Sequence, residues 1–80
     1  MKHNEKLKDI QYRHDLALAE RNCVAPGGQA YEVLTEVAKL IRGEYVTCRK
    51  GNYGWIRHGF RFDVRSGAYR HVVLAPCEKC

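Results

Sequence analysis

The segment from Trp55 to Ala75 constrains the fold of this 80-residue chain more than any other stretch. Its sequence, WIRHGFRFDVRSGAYRHVVLA, alternates largely between apolar and basic side chains. Such alternation is typical of β-strands with one buried and one solvent-facing side. The pair Ser66-Gly67 interrupts the pattern, and glycine accepts the positive φ that a tight turn requires. We therefore predict an antiparallel hairpin with strands at about 55–65 and 68–75.

The alternation separates the two faces of this hairpin by polarity. The face predicted to be buried carries Ile56, His58, Phe60, Phe62 and Val64. The opposite face is rich in arginine. A two-residue loop pairs Arg65 with Ala68 and places Asp63 opposite Arg70, an attractive cross-strand pair. Phe60 and Phe62 are accordingly predicted to belong to the hydrophobic core.

Two amphipathic helices are predicted before the hairpin. In residues 4–22, an apolar stripe at helical spacing consists of Leu7, Ile10, Ala17 and Leu18, and Asn4 can cap the helix. A second stripe consists of Tyr12, Leu16, Ala19 and Cys23. It either packs on the other helix, which we prefer, or forms a docking surface. Residues 29–42 repeat apolar side chains at i, i+3, i+4 and i+7, and Gly43 suits the position that ends a helix.

Residues 44–50, EYVTCRK, are predicted to form one further strand that precedes the hairpin. Pairing Lys50 with Trp55 adds Tyr45 and Thr47 to the apolar face. The expected fold is α+β: two helices on one face of a three-stranded antiparallel meander, in the order ααβββ. Residues 1–80 are expected to form a single small domain, with a loose tail at 76–80.

The positive charge of the chain is concentrated in its second half. The net charge is +5, and residues 44–80 contain seven Lys or Arg against three Asp or Glu. Arginine forms multidentate contacts with phosphate and stacks on bases, and an aromatic ring among basic residues on a sheet favours single-stranded nucleic acid. The candidate binding residues are Lys50, Trp55, Arg57, Arg61, Arg65 and Arg70.

These features predict a small, non-enzymatic binding module whose arginine-rich sheet face contacts nucleic acid, either RNA or single-stranded DNA, or a nucleoprotein machine. Val72 and Leu74 share that face, so an acidic protein surface is also a possible partner. The alternative is a small phage-type inhibitor, similar in size to anti-CRISPR proteins. Such a protein would dock on a nucleic-acid-handling complex of the host and block it.

We interpret the cysteines and histidines as structural residues rather than as metal ligands or catalytic groups. Cys77 and Cys80 have the C-x-x-C spacing of zinc ligands, but a second ligand pair is missing, so we expect neither a metal nor a cofactor. His58 and His71 are predicted to be hydrogen-bonded at the edge of the core rather than catalytic. The N-terminus lacks the apolar segment of a signal peptide and no run is long enough to span a membrane, so a cytoplasmic protein is expected.

The hairpin also resembles, in part, that of HicA-type mRNA-cleaving toxins. The matching residues are Gly59-Phe60, Gly67 and His71, within about fifteen residues. The resemblance would imply a catalytic histidine after the turn. However, the order Ser66-Gly67 and the two N-terminal helices differ from that family's pattern, and we do not assign the chain to it.

Overall fold

The computed structural model of the protein describes residues 3–52 and 54–77. The elements are α1 (His3–Asn22), α2 (Gln29–Arg49), β1 (His58–Asp63) and β2 (Ala68–Val73). The two helices pack on each other, and the two strands form an antiparallel sheet that packs on the helices. The α+β class is therefore confirmed. Over the described residues, neither helix is long and apolar enough to cross a lipid bilayer.

The strand predicted at 44–50 is wrong, because α2 continues through these residues to Arg49. The described part of the chain contains a sheet of two strands and no third one. The buried positions of α2 extend the helical spacing past Gly43, and they are Leu34, Val37, Ala38, Ile41, Glu44 and Cys48. Tertiary contacts along this stripe outweigh the helix penalty of one glycine, about 1 kcal/mol.

The hairpin turn is longer than predicted. Asp63 pairs with Ala68, so residues 64–67 form a four-residue turn instead of the two-residue Ser66-Gly67 loop. The pairing differs from the predicted one by two residues, and a shift of two leaves every side chain on its own face. The two faces were therefore predicted correctly, whereas the directly opposite partners were not; the predicted ion pair of Asp63 with Arg70 still forms, diagonally across the strands.

The hydrophobic core lies between the helices and one end of the hairpin. Its buried residues are Ile10, Ala17, Val37, Ala38, Ile41 and Cys48. Partly buried side chains pack around them, and these are Leu7, Leu18, Val33, Tyr45, Trp55 and Phe60. The predicted core role of Phe60 is therefore confirmed, and the first stripe of α1 faces the core as expected.

Several residues predicted to be covered are exposed instead. Phe62 is 49 % exposed, and Val64, which lies in the turn, is 83 % exposed. Tyr12 is 67 % exposed and Leu16 is 40 % exposed, so the second stripe of α1 does not pack on α2 as we had preferred. The helices cover only part of the hairpin's apolar face, and the core prediction for Phe62 is wrong.

Candidate nucleic-acid interface

The carboxylate of Glu44 connects both helices to the start of the hairpin. Its side chain is buried, and it accepts hydrogen bonds from both terminal nitrogens of Arg13 at 3.0 Å. Trp55 Nε1 donates to Glu44 Oε1 at 3.1 Å, and the backbone N–H of His58 donates to Oε2 at 2.9 Å. In the strand predicted at 44–50, Glu44 would lie on the face opposite Tyr45 and Thr47, which is the exposed basic face. The structure instead places it beneath the first residue of β1.

Arg13 completes this buried polar cluster. Its Nε donates to Asp9 Oδ2 at 3.1 Å, and its Nη1 also donates to the carbonyl oxygen of His58 at 2.7 Å. Burial disfavours the charged guanidinium, but hydrogen bonds and charge attraction to Glu44 and Asp9 outweigh burial and raise the pKa of Arg13. Both backbone polar groups of His58 are therefore held by charged side chains, which fixes the position of β1 over the helices.

Tyr69, next to the turn, holds that end of the hairpin on the helices through two hydrogen bonds. Its hydroxyl donates to Glu20 Oε2 on α1 at 2.7 Å, and its carbonyl oxygen accepts a hydrogen bond from Gln29 Nε2 at 3.0 Å. The bond to the Glu20 carboxylate raises the pKa of Tyr69, because ionisation would break the bond and bring two negative charges together. With Phe60 in the core, these contacts turn the arginine-bearing face of the hairpin outwards.

Three of the predicted binding residues converge on one open groove at the end of the hairpin. Arg61, Arg65 and Arg70 line it together with the rest of residues 61–65 and 70–72, and its volume is about 650 Å³. Arg61 and Arg70 are exposed and directly opposite each other on the two strands. Among the residues that line the groove, Asp63 is the single acidic one. The groove therefore has an excess of positive charge.

Asp63 shapes the turn and neutralises one of these arginines. Its Oδ1 accepts the N–H of Arg65 at 3.0 Å, and its Oδ2 lies 3.2 Å from Nε of Arg70. The hydrogen bond from the Ser66 side chain, that N–H and the charge of Arg70 together lower the pKa of Asp63. Within the described residues, no hydrogen bond or ion pair engages the guanidinium groups of Arg61 and Arg65.

The other three predicted binding residues lie elsewhere. Trp55 precedes β1 and packs on the core, with Nζ of Lys6 6.0 Å from the centre of its ring. Arg57 also precedes β1, and its Nε donates to the carbonyl oxygen of Ala75 at 2.8 Å. Lys50 is the residue that caps the C-terminus of α2. The structure therefore does not place Trp55 among the arginines of the groove.

His58 and His71 lie on the apolar face of the hairpin and contact each other. Nδ1 of His58 is 2.8 Å from Nε2 of His71, and the ring centres are 5.0 Å apart. Because the centres are much farther apart than the nitrogens, the rings meet nitrogen to nitrogen and share a hydrogen bond. Both histidines were predicted to be hydrogen-bonded at the edge of the core. In the structure the hydrogen bond joins the two histidine rings to each other.

Of Cys77 and Cys80, which have the spacing of zinc ligands, only Cys77 is described. Cys77 is buried after β2, where its N–H donates to the carbonyl oxygen of Trp55 at 2.9 Å. Cys80 lies outside the described residues. Over residues 3–52 and 54–77, no three side chains of His, Cys, Asp or Glu are grouped as metal ligands.

Sequence reasoning missed the buried cluster of Arg13 and Glu44. Two signals in the sequence point to it. Asp9 and Arg13 are four residues apart on α1 and can pair on one helix face. Glu44 lies three residues after Ile41, on the apolar stripe of α2. A helix prediction carried through Gly43 would have placed Glu44 among buried positions, where a carboxylate requires a charged partner.

Neither a comparison with known protein families nor searches of curated protein sequences and of solved structures found a match for the chain. The partial resemblance of the hairpin to HicA-type toxins is thus without a family match. The groove lined by Arg61, Arg65 and Arg70 is therefore the feature of the molecule that bears on function.

Proposed function

We propose that the protein is a non-enzymatic nucleic-acid-binding module. The observation that carries the proposal is the convergence of Arg61, Arg65 and Arg70 on one open groove with a single carboxylate, Asp63. Phosphate groups are the natural ligands of such a site, because a guanidinium donates two hydrogen bonds to one phosphate. Two of the three guanidinium groups have no partner within the described part of the protein, so they are available to a ligand.

The proposal is tested by fluorescence anisotropy with labelled mixed-sequence oligonucleotides over a range of salt concentrations. Each phosphate contact releases a condensed counterion, so Arg61→Ala and Arg65→Ala should each weaken binding to every sequence. Each should also reduce the salt slope by about one unit. Lys39→Ala is the matched control, because Lys39 is an exposed cation on α2 that lies outside the hairpin groove.

Two outcomes would contradict nucleic-acid binding at this groove. The first is the absence of any salt-dependent binding by the wild-type protein. The second is equal loss of binding in the Lys39→Ala control, which would show a general charge effect. Circular dichroism on each variant ensures that a loss of binding is not a loss of folding.

A second candidate is an inhibitor-like protein that docks on an acidic surface of a nucleic-acid-handling complex. The observation that favours it is another groove of about 460 Å³ between the helices, on which Arg42, Arg49 and His14 surround the apolar Val46. Cationic and apolar groups together are typical of protein interfaces. In a pull-down with such a complex, Arg42→Ala and Arg49→Ala should weaken capture while Arg61→Ala does not. The reverse pattern would favour the hairpin groove.

A further inference from the structure

We infer that the ligand of the hairpin groove is B-form double-stranded DNA and that the hairpin contacts its major groove. The inference depends on the proposed nucleic-acid binding and specifies the class of nucleic acid. The sequence pattern favoured single strands or RNA on the basis of a three-stranded sheet that presents Trp55. Both of these features are absent from the described structure, where a two-stranded ribbon presents Arg61 and Arg70 without Trp55.

The composition of the outward face argues against a single-stranded ligand. By the strand pairing, this face consists of Gly59, Arg61, Asp63, Ala68, Arg70 and Val72. None of these six residues is aromatic, whereas proteins that bind single strands stack the bases on aromatic rings. Trp55 donates to Glu44 beneath β1, and Phe62 lies on the opposite face with its ring centre 5.1 Å from that of Tyr69. Phe62 and His71 also line the hairpin groove, but they project from the opposite face, so the face that carries Arg61 and Arg70 has no aromatic ring on which bases could stack.

The dimensions of the ribbon suit the major groove of DNA. Two paired strands are about 4.8 Å apart, and with side chains they fit a groove about 12 Å wide that is known to admit two-stranded β-ribbons. On one side of the Arg61 and Arg70 pair the small Ala68 lies next to the turn, and on the other side the side chains of Val72 and Leu74 lie over Gly59. A-form RNA has a narrow and deep major groove that such a ribbon does not enter.

The direct pairing of Arg61 with Arg70 also indicates a ligand with several acceptors. Like charges at directly opposite positions destabilise a sheet, and Asp63 offsets only Arg70 within the described residues. Features that oppose stability are expected where a protein binds its ligand. The guanine edge in the major groove offers two acceptors, N7 and O6, which an arginine engages together.

The test measures binding of the purified protein to a labelled mixed-sequence DNA duplex, to its separated strands and to the matching RNA duplex. We expect the DNA duplex to bind most tightly. A DNA duplex made with 7-deazaguanine lacks the N7 acceptor but keeps its charge, and it should bind more weakly. Arg61→Lys retains the charge but not the paired donors, so it should weaken duplex binding about fivefold or more with an unchanged salt slope. Lys39→Arg, at an exposed position of α2 outside both grooves, should leave binding unchanged.

Equal or tighter binding of single strands or of the RNA duplex would overturn the inference while leaving the proposed function intact. Full binding to the 7-deazaguanine duplex, or by Arg61→Lys, would also overturn it, because the arginines would then contact phosphates alone. The proposed function fails separately, if none of the nucleic acids binds in a salt-dependent way.

Discussion

The buried carboxylate of Glu44 accepts hydrogen bonds from Arg13, Trp55 and the backbone of His58. Removing two charges from water costs several kcal/mol per ion, and the attraction between them offsets this cost only when the remaining hydrogen bonds are satisfied. Here both oxygens of Glu44 have two donors each. The cluster therefore favours this particular arrangement of the helices and the hairpin, since any other arrangement leaves a charge buried without a partner.

The substitution Glu44→Ala should lower the free energy of unfolding by about 3–5 kcal/mol, because it leaves Arg13 charged and buried without its main partner. A domain of this size has a total stability of about 4–12 kcal/mol, so the variant should be partly or largely unfolded. Urea denaturation followed by circular dichroism measures the change. The control is Glu36→Ala, since Glu36 is an exposed carboxylate on the same helix. Equal unfolding midpoints for the two variants would contradict the role of Glu44.

At the scale of elements, α2 is the helix whose length depends on its surroundings. Gly43 was predicted to end it, but that residue lies within the helix and does not have a positive φ. Gly51 has the positive φ, at 79°, and its N–H donates to the carbonyl oxygen of Cys48 at 2.9 Å. The glycine that ends α2 is therefore Gly51, two residues after Arg49.

The substitution Gly43→Ala should raise the free energy of unfolding by about 0.5–1 kcal/mol. A methyl group at this position meets no atom within 4 Å, and alanine loses less backbone entropy in a helix than glycine does. Gly51→Ala is the matched control and should lower stability, because alanine adopts a positive φ at a cost. A destabilised Gly43→Ala variant, measured by thermal unfolding, would indicate that α2 ends at the earlier glycine after all.

At the scale of the whole molecule, the helices cover the hairpin unevenly. Phe60 packs on the core, whereas Phe62, two residues along the same face, is 49 % exposed. The hairpin groove lies towards this less covered end, where the turn and its arginines extend into solvent. Phe60 in the core and the hydrogen bond from Tyr69 to Glu20 hold the hairpin in place, and the turn with its arginines is left open to a ligand.

Alanine substitutions at the two phenylalanines should report this difference. Phe60→Ala should lower the free energy of unfolding by about 2–3 kcal/mol, because it removes buried apolar surface and leaves a cavity. Phe62→Ala should cost about 1 kcal/mol or less, because half of its ring is already in water. The same urea titration measures both variants. A larger loss for Phe62→Ala would mean that the hairpin is seated on the helices in a different way.

Local patterns in the sequence were sufficient for the α+β class, for the first helix and for the two faces of the hairpin. Helical spacing of Leu7, Ile10 and Ala17 and the alternation from His58 to Phe62 are properties of neighbouring residues, and burial of one face follows directly from them. The strand pairing shifted by two without exchanging the faces, because side chains alternate with a period of two.

Only the tertiary structure decided whether residues 44–49 form a helix or a strand, and which residues surround Trp55. The segment contains residues that favour strands, such as Tyr45, Val46 and Thr47, and it follows a glycine, so local preference indicated a strand. The helix prevails because Glu44 and Cys48 extend the buried stripe of α2, and Glu44 there meets Arg13, which is 31 residues away. That contact also draws Trp55 beneath the hairpin. The outward face therefore presents Arg61 and Arg70 without Trp55. Local patterns did not indicate this arrangement, because a charge pair formed between distant residues is not visible in any of them.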